Sequence, residues 1–138
     1  YRNIIKDRNI IVKGFINKID LAYSAADLVI SRAGALSISE LSMMRKAMIL
    51  IPLPSSAGNH QYFNAKLLND KEAAILIDQR ELLNNKIKKS VFQVLFNDKI
   101  MLKLSKNAYS LLIKNSTEKI KKEIMNLLLS TRNKSQIC

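Results

Sequence analysis

Tryptophan is absent from this 138-residue chain, cysteine occurs once, proline twice and glycine three times. The lone cysteine, Cys138, excludes a disulfide framework or a cysteine-built metal site and fits a reducing compartment. Aromatic residues make up only 6% and no zinc spacing accompanies them, so there is no stacking platform for bases and no nucleic-acid partner is expected. No apolar run approaches the roughly 18 residues that would span a bilayer. No basic start precedes an apolar stretch near Tyr1, so neither a membrane span nor a secretory signal is expected in this stretch. The first residue is not methionine, which suggests a piece of a longer protein.

What the chain does have is apolar content and positive charge. At 48% hydrophobic residues, 138 residues can bury one core, so a single domain is expected over 1–138. The net charge of +12 is uneven: residues 1–79 carry 10 Lys/Arg against 7 Asp/Glu, and residues 80–138 carry 13 against 4. The C-terminal lysines alternate with apolar positions at helical spacing. That pattern reads first as a solvated helix face, and second as attraction to an anionic membrane surface.

Along the chain, short apolar runs alternate with helical patterns. Asn9 to Val12 is a β-branched run, and Lys18 to Ala25 has helical spacing. Leu28 to Ile30 reads as strand, Leu36 to Met44 as helix with Leu36, Ile38 and Leu41 available for burial, and Ala47 to Ile51 as strand. Pro52, Pro54 and Gly58 punctuate the next loop. Gln61 to Asn69 then reads as helix, Ala73 to Ile77 as strand and Glu81 to Phe96 as helix. Two amphipathic helices follow, Lys99 to Ile113 and Thr117 to Ser130, with Asp98 and Ser116 or Thr117 as N-caps. Buried strands separated by helices imply parallel pairing with helical crossovers, so the fold class is α/β, a Rossmann-like parallel sheet with flanking helices.

In such sheets ligands sit beyond the carboxyl ends of the strands. Two loops there are well stocked. After Ser31, Gly34 allows close backbone approach, and the amides of Ala35, Leu36 and Ser37 open a helix whose dipole favours an anion such as a diphosphate. Ser37 and Ser39 add hydroxyls. Glu40, a turn and a half further on, suits a pair of vicinal hydroxyls, although spacing alone equally allows a solvent-facing helix glutamate. The second loop ends in Asn59-His60-Gln61, with Asn64 a turn later. These neutral groups suit sugar hydroxyls, and Asn59 also suits a plain N-cap. His60 has no partner at metal-ligand spacing, so no metal or cofactor is expected.

The run Ala26-Asp27 to Glu40, then Ile51-Pro52-Leu53-Pro54, then Asn59-His60-Gln61 with Asn64-Ala65, resembles the C-terminal domain of the MurG family. The likeness runs from about Val12 to Ile77 and more loosely onward. It implies the C-terminal half of a two-domain GT-B glycosyltransferase of peptidoglycan synthesis. Such an enzyme moves N-acetylglucosamine from UDP-N-acetylglucosamine to an undecaprenyl-linked muramoyl-pentapeptide, at the cytoplasmic face of the cell membrane as a peripheral protein. By position, Ile16 would contact the uracil, Gly34, Ala35, Leu36 and Ser37 the diphosphate, Glu40 the ribose, and Gln61 and Asn64 the sugar. No catalytic acid or base is assigned.

Departures from the family pattern set further expectations. Arg45-Lys46-Ala47 stands where the family carries a glycine, which would strain or lengthen the connection. The acceptor domain, the first donor-domain strands and a glycine- and serine-rich phosphate loop are missing from these residues. The chain is therefore expected to be incomplete on its N-terminal side and inactive by itself, with helices about 99–130 packing on this domain or on the missing one. A non-catalytic, basic interaction module is the alternative reading, and a transferase with a different nucleotide-sugar donor is a third.

Overall fold

The computed structural model describes residues 9–112 and 116–134, with side chains described as far as 129. Three parallel strands form the sheet, in the order β1 (Leu28–Ser31), β2 (Ala47–Leu50), β3 (Ile75–Leu76). Leu28 pairs with Ala47 and Ser31 with Leu50, while Ile49 pairs with Ile75. β2 lies between two neighbours with helices on both faces, so all four of its residues are buried, as a continuous apolar run in a parallel sheet requires. Met48 and Leu50 pack with Leu41 of α2 (Ala35–Met43) and with Ala65 and Leu68 of α3 (His60–Asp70). On the opposite face Ala47 packs with Val94 of α4 (Lys86–Leu95) and Leu104 of α5 (Asp98–Ser110). Short α1 (Ile19–Ala25) precedes β1, and α6 (Ser116–Lys134) follows α5.

Several expectations need correction. Asn9 to Val12 forms no strand and lies exposed, paired with none of the three strands. The expected helix from Glu81 to Phe96 is two pieces, a 3₁₀ segment Gln79–Asn84 and then α4, parted at Asn85 with φ 55°. Asn97, not Asp98, caps α5, accepting from the Ile100 amide at 3.2 Å. Ser116 and Thr117 lie inside the first turn of α6 rather than capping it. Leu36 is 74% exposed, because five positions before the buried Leu41 it lies well round the helix from the buried stripe. The apolar residues Ile120, Ile124, Leu127 and Leu128 of α6 are exposed. Ile113 and Cys138 lie outside the described residues.

Of the strain or lengthening expected after α2, where the family carries a glycine, the structure shows the strain. Arg45 itself takes the left-handed conformation, with φ 51°. The amide of Arg45 donates to Ser42 O (3.1 Å) and that of Lys46 to Leu41 O (2.9 Å), the pair of bonds that closes a helix in the Schellman manner. A left-handed non-glycine residue is disfavoured by about 1 kcal/mol or more, and contacts elsewhere offset it. The Arg45 guanidinium sits 4.1 Å from the Tyr109 ring centroid on α5. Lys46 Nζ donates to Ser24 O and Ala26 O, satisfying carbonyls at the end of α1. α3 ends the same way at Glu72, φ 51°, with the Ala73 amide on Leu68 O. Glu72 is likewise held by α5: Lys103 Nζ lies 2.6 Å from its carboxylate and Asn107 Nδ2 donates to its carbonyl.

Candidate functional site

The carboxyl ends of β1 and β2 carry both loops singled out in the sequence. Gly34 is the N-cap of α2, in extended backbone (φ −70°, ψ 141°) that any residue can adopt. A Cβ there would meet only Ser37 Oγ, at 3.9 Å. The fold itself does not need a glycine at this point, so what the absent side chain provides is open space at the helix start. No side chain caps α2. The first carbonyl bonded within the helix is Gly34 O, taken by the Ile38 amide at 3.0 Å. Among the described residues, no protein acceptor engages the amides of Ala35, Leu36 and Ser37. Three donors without protein acceptors thus stand at the positive end of a nine-residue helix, an arrangement suited to an anion.

Glu40 is half-buried on α2, and its Oε2 accepts a long 3.5 Å hydrogen bond from the Tyr23 hydroxyl of α1. Burial, followed by the neighbouring Glu40 charge, raises the Tyr23 pKa, so the phenol stays protonated as a donor at neutral pH. That bond turns the carboxylate toward α1 and leaves Oε1 without a protein partner. Ile16 precedes α1 by a few residues, in irregular chain and 44% exposed.

The second loop is tied to the first by side-chain amides. Asn64 Nδ2 donates to Ala33 O at 3.2 Å, and Gln61 Oε1 accepts from the Leu53 amide at 3.0 Å. These partners fix the amide orientations, so Asn64 presents its oxygen and Gln61 its NH₂ for further bonding. His60 Nδ1 lies 2.6 Å from Ala57 O, which can only accept, so Nδ1 carries the proton and Nε2 is the open acceptor. Asn59 does not cap α3. It is left-handed (φ 55°, ψ 23°) and its side chain makes no capping bond, because side-chain capping needs the extended backbone.

Two contributors escaped the sequence reading. Arg32 Nη1 reaches Ile51 O (3.2 Å), Pro52 O (3.1 Å) and Gln79 Oε1 (2.8 Å), joining the ends of β1 and β2 to the turn after β3. Tyr23 orients Glu40 from 17 positions away. Neither sits in a local pattern that periodicity or turn chemistry could flag. A concavity of about 590 Å³ adjoins this constellation, between Leu53, Asn59, Tyr62 and Phe63 on one side and Asp78, Gln79 and Arg80 on the other. Among the described residues no group of three or more His, Cys, Asp or Glu could hold a metal ion.

Comparison with known proteins places these residues in context. The model of the glycosyltransferase family 28 C-terminal domain matches residues 2–127. A protein of Flavobacterium psychrophilum named UDP-N-acetylglucosamine--N-acetylmuramyl-(pentapeptide) pyrophosphoryl-undecaprenol N-acetylglucosamine transferase is 40% identical over 134 residues, covering 96% of this chain and 36% of that protein. A protein of the same name from Rickettsia akari is 45% identical over 93 residues, 67% of this chain and 24% of its own. The crystal structure of Acinetobacter baumannii MurG superposes with a TM-score of 0.68 at 34% identity, covering 81% of this chain and 32% of that one. The chain thus matches between about a quarter and a little over a third of the length of these relatives.

Proposed function

This chain belongs to the glycosyltransferase family 28 C-terminal domains, and from that premise we propose that it is the donor-binding part of a transferase that moves N-acetylglucosamine from UDP-N-acetylglucosamine to an undecaprenyl-linked muramoyl-pentapeptide. The observation that carries the reading is the start of α2. Three amides lack acceptors beside a glycine that the fold does not require, and that space matches a diphosphate approaching the backbone.

In this reading Ala35, Leu36 and Ser37 donate to the diphosphate. Glu40, steadied by Tyr23, accepts from the ribose hydroxyls, and Ile16 lies against the uracil. Gln61 and Asn64 offer the sugar one set of donors and one acceptor respectively. Charge accumulates on the diphosphate as the bond to the sugar breaks, so preformed amide donors at a helix start stabilise the transition state more than the ground state. No residue of this chain is assigned as the base. The acceptor and its lipid bind through parts of the enzyme beyond these residues, at the cytoplasmic face of the membrane, where the protein is peripheral. The basic non-catalytic module is the less favoured reading, because the likeness to named transferases covers 96% of the chain.

Isothermal titration of the chain with UDP-N-acetylglucosamine tests the site. Loss of a charged hydrogen-bond acceptor costs about 1.5–3 kcal/mol, so Glu40→Ala should weaken binding roughly ten- to a hundredfold. Equal heats for wild type and variant would remove Glu40 from the site. A panel of UDP-sugars tests donor identity: tighter binding of UDP-glucose than of the N-acetyl sugar would point to a different donor.

A further inference from the structure

None of the residues assigned to the donor lines the concavity between α3 and the turn after β3, yet two bonds of the donor site build its walls. The Leu53 amide is held by Gln61 Oε1 at 3.0 Å, and Gln79 Oε1 is held by Arg32 Nη1 at 2.8 Å. Tyr62 and Phe63, on the first turn of α3, meet edge to face with ring centroids 6.0 Å apart and planes at 74°. Together with Pro52, Leu53 and Pro54 they make one side apolar. The opposite side is polar. Gln79, fixed through its oxygen, keeps its NH₂ for further bonding. Arg80 spends Nε and Nη2 on the Asp78 carboxylate, both at 3.1 Å, and keeps Nη1, on a side chain that is 89% exposed. Among the described residues, the Tyr62 hydroxyl and the Asn59 side-chain amide have no hydrogen-bond partner in the protein.

A volume of about 590 Å³ holds more than one hexose ring and falls in the range of ordinary ligand sites. Apolar walls interrupted by neutral amides and a hydroxyl suit an extended peptide, whose backbone offers a donor and an acceptor at nearly every residue. The spare guanidinium nitrogen suits a carboxylate. The acceptor proposed above, a muramoyl-pentapeptide, carries both. On its ring C1 bears the diphosphate, C2 the acetamide and C3 the lactyl ether to which the peptide is joined by its amino end. Only the hydroxyls on C4 and C6 remain to attack the donor. The peptide therefore leaves the acceptor within a ring's width of the new bond, with its carboxylate at the far end. Leu53 joins the sugar-facing Gln61 to the wall of the concavity, so the peptide starts out on this side of the donor sugar. We propose that the concavity seats the acceptor's peptide, with its first residues along Leu53, Tyr62 and Phe63 and its terminal carboxylate at Arg80. This rests on the transferase reading and deepens it. The acceptor's sugar and lipid stay with parts of the enzyme beyond these residues, while the peptide reaches back to this domain. Anchored here, it limits where the attacking hydroxyl can stand relative to the donor.

Amide NMR of the isotope-labelled chain with N-acetylmuramoyl-pentapeptide, free of diphosphate and lipid, tests the seat. Saturable shifts are expected at Leu53, Tyr62, Phe63, Gln79 and Arg80, and none there from N-acetylmuramic acid. Arg80→Gln should weaken the peptide about tenfold, through the loss of one charge-assisted hydrogen bond. A C-terminally amidated peptide should bind wild type about tenfold more weakly than the acid does, and should not distinguish wild type from Arg80→Gln. A merely structural Arg80 would not produce that pattern. Phe63→Ser should weaken acid and amide alike. Silence at millimolar peptide, shifts spread over other faces, equal binding of acid and amide, or N-acetylmuramic acid moving the same amides would each overturn the proposal. The last would make the acceptor's sugar the occupant. Titration with UDP-N-acetylglucosamine keeps the two readings apart. Donor heats with no peptide shifts would remove this proposal alone. Peptide shifts with no donor heats would remove the donor reading and leave the peptide seat standing.

Discussion

Gly34 shows how a single residue can separate the demands of folding from those of binding. Its backbone angles suit alanine and a Cβ has room. Replacing glycine where the conformation is already compatible restricts the unfolded chain, and stabilises a protein by about 0.4–1 kcal/mol. Gly34→Ala is therefore expected to raise the urea midpoint slightly while weakening UDP-N-acetylglucosamine binding, because the methyl group would occupy the approach to the Ala35–Ser37 amides. A variant that binds as well as wild type would mean that nothing comes close to this backbone. Glu40 could be proposed from spacing, since it sits a fixed distance into a helix. Tyr23 and Arg32 could not. Their roles depend on which helix lies beside which strand end, information that no local pattern holds.

Among the elements, the segment after β3 is the most dependent on charge. Asp78 opens the Gln79–Asn84 turn with a capping box: its carboxylate accepts from the Arg80 amide, and Glu81 accepts from the Asp78 amide. Bonds from the Arg80 side chain, then from the Arg80 amide, hold the Asp78 pKa down to about 2. Glu81 is lowered too, chiefly by Lys86. Both folded values lie below the unfolded ones, so the stabilisation is present above the ordinary carboxylate range. It is lost as pH falls from about 4 toward about 2. An NMR titration should show the Arg80 amide moving in that window, and Asp78→Asn should flatten the response. An Asp78 that titrates at its ordinary value would contradict the cap.

The same segment shows why the sequence was only partly legible. Apolar periodicity runs without interruption from Glu81 to Phe96, and it locates helical structure correctly. The break comes from Asn85 adopting a left-handed conformation that asparagine tolerates and periodicity does not register. The three strands were readable as buried apolar runs, although β3 is shorter than its run because Ala73 and Ala74 are used in leaving α3. Asn9 to Val12 failed for the opposite reason: strand propensity alone does not bring a segment to a sheet edge.

At the scale of the molecule, alanine sets how closely the layers approach. Ala33, Ala65, Ala73, Ala74 and Ala108 are all buried in one cluster, so α5 reaches the ends of α2 and α3 through side chains of minimal size. Ala108→Leu should destabilise the fold by about 1–3 kcal/mol, since a tightly packed site cannot accept the added volume without shifting the backbone. Chemical denaturation with unchanged slope and a lowered midpoint would be the expected result, and an unaltered midpoint would show that α5 packs more loosely than its contacts imply.

Arg45 and Glu72 make one consequence of that arrangement concrete. Both are left-handed without being glycine, and both lean on α5, through Tyr109 and Lys103. A glycine would close each helix unaided, whereas here the closures depend on residues synthesised much later. During translation the two turns can be sketched early, yet they become secure only once the polypeptide through Tyr109 has left the ribosome. A helix made after both turns is thus the part that locks them.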